Sequence, residues 1–316
     1  MLPRRSEYDV TNQVDTTAPE AVKGEVCRIY AQLYSHAPTE FLARAFDDCA
    51  RLYRGGDARY RGCDTPYHNL QHTLEVALAT ARLMNGYERG GDGPGPIGAR
   101  LFQLGVITAL FHDVGYLRHR NDTRHRNGAA YTLRHVSRGA RFLEQYMIDL
   151  GMADLARIAG RIIHFTGYEV PLDQIEMPND VLLRIGHILG AADIIAQMAD
   201  RCYLEKCRDR LYPEFVVGGL ASEGTIDAAP TARFSSAEDL LRKTPGFYAV
   251  AIRRLNELLG GAHHYASEYF GGQNLYLEEL VKNIRHAERV AANADIAALL
   301  RRNPPEGGTD QGNGPA

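Results

Sequence analysis

The chain has no tryptophan, only five cysteines in 316 residues, and no marked excess of either charge. Cys27, Cys49, Cys63, Cys202 and Cys207 are odd in number and show no CxxC spacing. That argues against a disulfide framework and against a thiolate zinc site, and a reducing cytoplasm is the expected compartment. Lysine plus arginine (36) against aspartate plus glutamate (39) leaves a net charge of −3, which disfavours a chain built to coat a nucleic-acid polymer. No apolar run has the look of a membrane span, and no apolar stretch follows Arg4 and Arg5, so neither membrane insertion nor a secretory signal is expected. Strand signals are equally scarce. The best of them, Phe215-Val216-Val217, is short and runs into Gly218-Gly219.

What is present is helical periodicity. Val22, Val26, Ile29 and Leu33 recur at helical spacing in residues 21–34, and Phe41, Leu42, Phe46 and Leu52 mark a second helix over 39–53. Thr65 reads as an N-cap with Pro66 at the first helical position, giving a helix over 66–83. Further helices are expected over 99–113, 128–150, 152–165, 180–211, 247–259 and 274–301. Residues 1–20 are polar and unperiodic and read as frayed; residues 303–316, rich in glycine and proline, read as disordered. The expectation is one all-α domain over 21–302, a helical bundle, although the length alone would allow two domains.

Twelve histidines are the unusual part of the composition. Tyr67-His68-Asn69-Leu70-Gln71-His72 sets two of them four residues apart, on one face if the segment is helical. The apolar run 106–111 leads directly into His112-Asp113. A carboxylate at the end of a buried apolar helix must be paired, or its desolvation is uncompensated. Asp193 has the same problem, on a face with Leu182, Ile185, Leu189 and Gln197. A divalent cation would resolve all three oddities together, because imidazoles and carboxylates recover their desolvation cost by ligating it. His135 and His164 sit on helices in between, and one ligand from each of several helices is how bundles build metal centres.

The order H…HD…H…H…D resembles the HD superfamily of metal-dependent phosphohydrolases, with His112-Asp113 as the doublet. Tyr67-His68-Asn69…His72 resembles more narrowly the YHNxxH motif of class I cyclic nucleotide phosphodiesterases. The resemblance spans residues 67–193. It implies His68 as general acid, His72, His112, Asp113 and Asp193 as ligands of a first metal, and Asp113 as a bridge to a second. The chain departs from that family after the doublet, where it reads Val114-Gly115-Tyr116 in place of xxHPG, and its interval from Asp113 to Asp193 is shorter. The interval is closer to HD proteins in which intermediate histidines complete a two-metal site, which brings His135 and His164 into the expected ligand set.

The function expected on this basis is hydrolysis of a small phosphorylated substrate, first a phosphodiester such as a cyclic nucleotide, at two divalent ions (Zn, Mn, Mg or Fe). The ions would polarise the phosphoryl oxygens and acidify a water between them, while His68 protonates the leaving alkoxide. Alternatives are a nucleotide phosphomonoesterase and a diiron HD-type oxygenase; a homodimer is left open. His68 in a first helical turn raises a difficulty, since the positive end of the helix dipole opposes an imidazolium and no compensating carboxylate is legible. The arginines and histidines between Arg118 and Arg126 read as a solvated loop or as a phosphate-attracting rim. Glu205, Lys206, Arg208, Asp209 and Arg210 read as an exposed helix face.

Overall fold

Helices supply nearly all the regular structure of the computed structural model, which describes residues 5–91, 93–222 and 233–300. They are α1 (Pro19–Leu33), α2 (Glu40–Tyr53), α3 (Leu70–Gly90), α4 (Gly98–Leu110), α5 (His135–Leu150), α6 (Ala156–Ile162), α7 (Asp180–Met198), α8 (Tyr203–Lys206), α9 (Tyr212–Val217), α10 (Ala237–Arg253), α11 (Tyr265–Tyr269) and α12 (Leu275–Ala292). Among the described residues there is no sheet, only three isolated bridges. The fold is all-α, as the periodicity implies.

Two long helices, α3 and α7, run through the buried centre, and each carries a candidate site residue. α3 packs against α1, α4, α7 and α11, and α7 packs also against α4, α6 and α12. α7 is long and apolar enough to cross a membrane by length and composition alone, contrary to the reading above that no run is. Its apolar character is spent on the core, because Leu182, Ile185, Ile188, Leu189 and Ile195 are all buried against neighbouring helices.

Several helix ends differ from the sequence reading, each for a local reason. α3 begins at Leu70 and not at Pro66, because Asn69 caps it by accepting from the His72 N–H (3.1 Å). Thr65 instead closes a turn, its hydroxyl donating to the His68 carbonyl (2.9 Å). The expected helix over 180–211 breaks after Met198. There Asp200 accepts from the Cys202 N–H (2.7 Å), while the Asn283 amide donates to the carbonyls of Met198 and Asp200. Phe215-Val216-Val217 lies in α9 and is not a strand. Glu205 and Lys206, expected on an exposed face, are buried, and Lys206 is ion-paired with Asp200.

The N-terminal segment is not frayed from Arg5 onward. Val14 and Thr16 are buried, and Asp9 holds the buried Arg82 guanidinium at 2.6 Å. Residues 1–4 and the tail expected over 303–316 lie outside the described residues.

Candidate metal centre

Three buried side chains, His72, His112 and Asp113, bring one donor atom each within 4.8 Å of one another, and Asp193 approaches the two imidazoles from α7. His72 comes from the first turn of α3, Asp193 from the last third of α7, and His112 and Asp113 from the turn after α4. α4 ends at Leu110, so the doublet lies beyond the helix, followed by a 3-10 turn over Val114–Tyr116. Nε2 of His112 is 3.1 Å from Oδ2 of Asp113. Nε2 of His72 is 3.3 Å from the same oxygen, 3.4 Å from Oδ1 of Asp193, and 3.3 Å from Nε2 of His112. His112 and Asp193 are 3.9 Å apart.

These spacings decide between two kinds of contact. Ligands about 2.1 Å from a common ion lie about 3.0 Å apart at right angles and about 3.4 Å apart at the tetrahedral angle. The observed separations fall in or just beyond that interval. Direct hydrogen bonding accounts for them poorly. Nδ1 of His112 is 2.7 Å from the Ala109 carbonyl, which can only accept, so Nδ1 carries the proton and the neutral ring presents a bare lone pair at Nε2. That lone pair faces a carboxylate oxygen, Oδ2 of Asp113, which is buried without a hydrogen-bond partner. In that neutral form the contact is unfavourable, and positive charge, from a proton on the ring or from a cation between the two groups, relieves it.

The pKa directions express the same demand. Burial lowers the His72 pKa, but the carboxylates of Asp113 and Asp193 overcome it and raise it to about 10. His112 is raised likewise, against burial, by Asp113. Burial raises the Asp113 pKa, and His112 and His68 reverse that to hold it well below the usual carboxylate range. Protonating both rings would place two N–H groups 3.3 Å apart, nose to nose. A single divalent cation supplies the charge without that repulsion, and two imidazoles with two carboxylates are a donor set that suits zinc, manganese or iron. The Nδ1–H bond to Ala109 is the kind of outer contact that fixes a ligand imidazole's tautomer.

The other oxygen of Asp113, Oδ1, faces Nε2 of His135 at 3.7 Å. His135 opens α5 and is oriented in the same way, with Nδ1 bonded to the Thr132 carbonyl at 2.7 Å. His164 is different. It lies in the 3-10 turn Ile163–Phe165, its Nδ1 is buried without a hydrogen-bond partner, and it is in hydrogen-bond or ion-pair contact with none of the other five expected ligands.

His68 precedes α3 in the turn closed by Thr65, one residue before the Asn69 cap and still at the positive end of the helix. The dipole difficulty is relieved by a carboxylate. Glu214, on α9 and 2% exposed, is ion-paired through Oε2 to Nδ1 of His68. Its Oε1 accepts from the Tyr67 and His68 N–H groups at 2.6 and 3.2 Å. Burial lowers the His68 pKa; Glu214 and Asp113 together raise it above the ordinary histidine value. Tyr116 stacks between His68 (4.5 Å between ring centroids) and His135 (4.3 Å), forming a three-ring pile beside the cluster. The Tyr67 hydroxyl donates to Oε1 of Gln197 (3.2 Å), one turn beyond Asp193, which ties the motif segment to α7.

Gly115 explains part of the departure after the doublet. A Cβ there would stand 1.8 Å from the His135 carbonyl oxygen, so only glycine lets the doublet turn lie against the start of α5. Glu214 and Tyr116 had no legible signal: a lone glutamate after Pro213 and a tyrosine in a short turn look ordinary. In the basic segment, Arg118 is paired with Asp64 and Arg120 donates to the Asp57 and Gly55 carbonyls, so part of that charge is structural.

No family model matches the chain, and neither a curated protein nor a solved structure matches it.

Proposed function

We propose that the chain is a metal-dependent phosphohydrolase acting on a small phosphodiester, a cyclic nucleotide in the first instance. The observation that carries the reading is the placement of an acid-competent imidazole, His68 backed by buried Glu214, beside a donor cluster with the spacing of a ligand sphere. His72, His112, Asp113 and Asp193 would hold one divalent ion, and Asp113 with His135 would contribute to a second. Bound there, the ions supply Lewis-acid polarisation of a phosphoryl oxygen and a water acidic enough to attack near neutral pH.

The chain's own residues supply the rest. Glu214 accepts the Nδ1–H of His68, which leaves Nε2 as the proton-bearing atom free to reach a leaving group. The upward shift favours the protonated ring, so the proton is held more readily until an alkoxide needs it. Tyr116 covers one face of the His68 ring, limiting its rotation and favouring its positive form by cation–π attraction. A diester whose leaving group is a ribose oxygen benefits most from such an acid, which is why a diester is preferred to a monoester of a good leaving group.

The test is a panel of cyclic nucleotides, nucleoside monophosphates and an aryl phosphodiester, each assayed with manganese, magnesium, zinc and iron, alongside dioxygen consumption. Metal-dependent release of a monoester from a cyclic nucleotide is the expected result. Iron-dependent dioxygen uptake with no phosphoester cleavage on any member of the panel would overturn the proposal in favour of diiron oxidation.

A further inference from the structure

On the outer side of the doublet turn, where Val114 and Gly115 form part of the wall, lies a cavity of about 270 Å³. None of the metal-cluster residues, and neither His68 nor Glu214, lines it. Its floor and sides come from one face of α5, from Tyr60 before α3 and from His119 after the doublet. Arg59, Arg138 and Arg141 all reach it, against a single carboxylate, Asp149.

Two of those arginines have charge to spare. The Arg138 guanidinium donates through Nε to the Gly115 carbonyl (2.8 Å) and through one Nη to the Leu117 carbonyl (3.0 Å), and it lies 3.5 Å from the centre of the Tyr131 ring. Its second Nη makes no hydrogen bond among the described residues, and no carboxylate pairs with it. Arg141, exposed on the next turn of α5, is likewise not ion-paired to any described residue. Arg59 touches Asp57 only at 3.5 Å. A planar guanidinium fixed by two carbonyls and a ring is pre-set for bidentate recognition of a phosphate.

The remaining wall is aromatic. Tyr60 and His119 lie 4.3 Å apart between centroids, Tyr60 meets Phe142 edge-on at 5.6 Å, and Phe142 stacks with Tyr146 with planes 8° apart. Aromatic rings beside Arg138 and Arg141, which no described carboxylate neutralises, suit a ligand that is flat at one end and anionic at the other. The volume lies just under the ~300–1,000 Å³ typical of small-molecule sites, which limits the ligand to one base and one phosphate.

We propose that this cavity is a second ligand site, separate from the metal centre, that binds a nucleoside monophosphate with its phosphate on Arg138 and Arg141 and its base against the Tyr60 and Phe142 side. Binding in this cavity needs neither a metal ion nor turnover at the metal centre.

The full-length chain carrying His72→Ala, stripped of metal with a chelator, is titrated calorimetrically with AMP, GMP, CMP and UMP. Inorganic phosphate and the four nucleosides are titrated in parallel. At least one nucleotide should bind at one site per chain, tenfold or more tighter than inorganic phosphate and than its own nucleoside. Arg141→Glu, at an exposed position with no partner to lose, should weaken that binding by at least tenfold, and Arg141→Lys by less. Tyr60→Leu should remove the advantage of nucleotide over phosphate while leaving phosphate binding in place. Equal affinity of nucleotide and inorganic phosphate would overturn the aromatic half of the site. Nucleotide binding unchanged by Arg141→Glu, or no binding at all in the chelated His72→Ala protein, would overturn the site altogether.

Discussion

Two buried clusters of charge stand near α3, and they are resolved in opposite ways. In one, every buried carboxylate has a cation from the chain itself. Asp9 holds Arg82 and also accepts from the Gln13 and Val14 N–H groups, while Asp200 is paired with Lys206, which also faces Glu75 at 4.0 Å. In the other, Asp113 and Asp193 face only imidazoles, and Oδ2 of Asp113 is left without a hydrogen bond. The chain is plainly able to bury arginine and lysine beside acids within the same core. With histidines at the second cluster, the positive charge can come from protonated rings or from a bound cation, and the proposed function rests on the second. A resident guanidinium would fill the position that an ion needs.

The comparison can be broken most decisively at Asp113. Asp113→Ala should abolish metal binding, or lower turnover by at least two orders of magnitude, with the helical circular dichroism signal retained, since Asp113 lies in a turn beyond α4. Near-native metal content and turnover in that variant would end the two-metal reading.

The next effect separates acid from ligand. His68→Ala should keep its metal yet lose roughly 10²–10⁴ in turnover of a diester with a poor alkoxide leaving group, the usual contribution of a positioned acid. A nitrophenyl diester should lose much less. Glu214→Gln should be milder on both substrates. Because Glu214 helps to raise the His68 pKa, its loss lets the proton leave at lower pH, so the alkaline limb of the pH–rate profile should move toward acid. A profile that stays in place would deny Glu214 its part in holding that proton.

At the intermediate histidines the structure sharpens what the sequence leaves equal. His135→Ala should reduce metal stoichiometry from two per chain to one, since His135 faces the free oxygen of Asp113. His164→Ala, removing a ring that touches none of the cluster, should leave the count unchanged. Loss of one ion in the His164 variant alone would reverse that assignment.

The self-neutralised cluster should show up in stability and not in metal content. Arg82→Met strands Asp9 and should cost about 3–5 kcal/mol in urea unfolding, as expected when one partner of a buried pair is removed. The smallest effect concerns acid pH. Burial raises the Asp9 pKa, but Arg82 and the Val14 N–H overcome it and the net shift is downward. Asp9 therefore contributes stability that is complete above the unfolded carboxylate value of about 3.9 and is lost as the pH falls below it. The stability gap between the parent chain and Asp9→Asn should accordingly narrow between pH 7 and pH 3. A gap that held constant would mean that the Asp9–Arg82 pair contributes little through charge.

How much of this was legible depends on distance along the chain. Apolar spacing is local, and it marks α1, α2, α4 and the core of α7 closely. The oddity of Asp113 and Asp193 is also local, since each is an acid in an apolar run, and so both could be named as candidates before their contacts were known. What escaped was set by partners far away in sequence. Glu214 meets His68 across 146 residues, and Asn283 ends α7 by taking the carbonyls of Met198 and Asp200. Asn69 displaced Thr65 as the cap of α3 because both are good capping residues and only the fold decides between them. Asp9 escaped for the same reason: nothing near it announces a buried arginine 73 residues on.

The central claim, that the Asp113 cluster takes its positive charge from a bound divalent ion, is tested most directly by elemental analysis of the purified chain with thermal unfolding in chelator and in added manganese, zinc or iron. The account predicts at least one tightly held ion per chain and a melting temperature that falls on chelation and recovers on metal return. In Asp113→Ala neither should be seen. A metal-free parent chain whose melting temperature responds to none of the ions would contradict it. The two imidazoles would then have to carry the charge themselves.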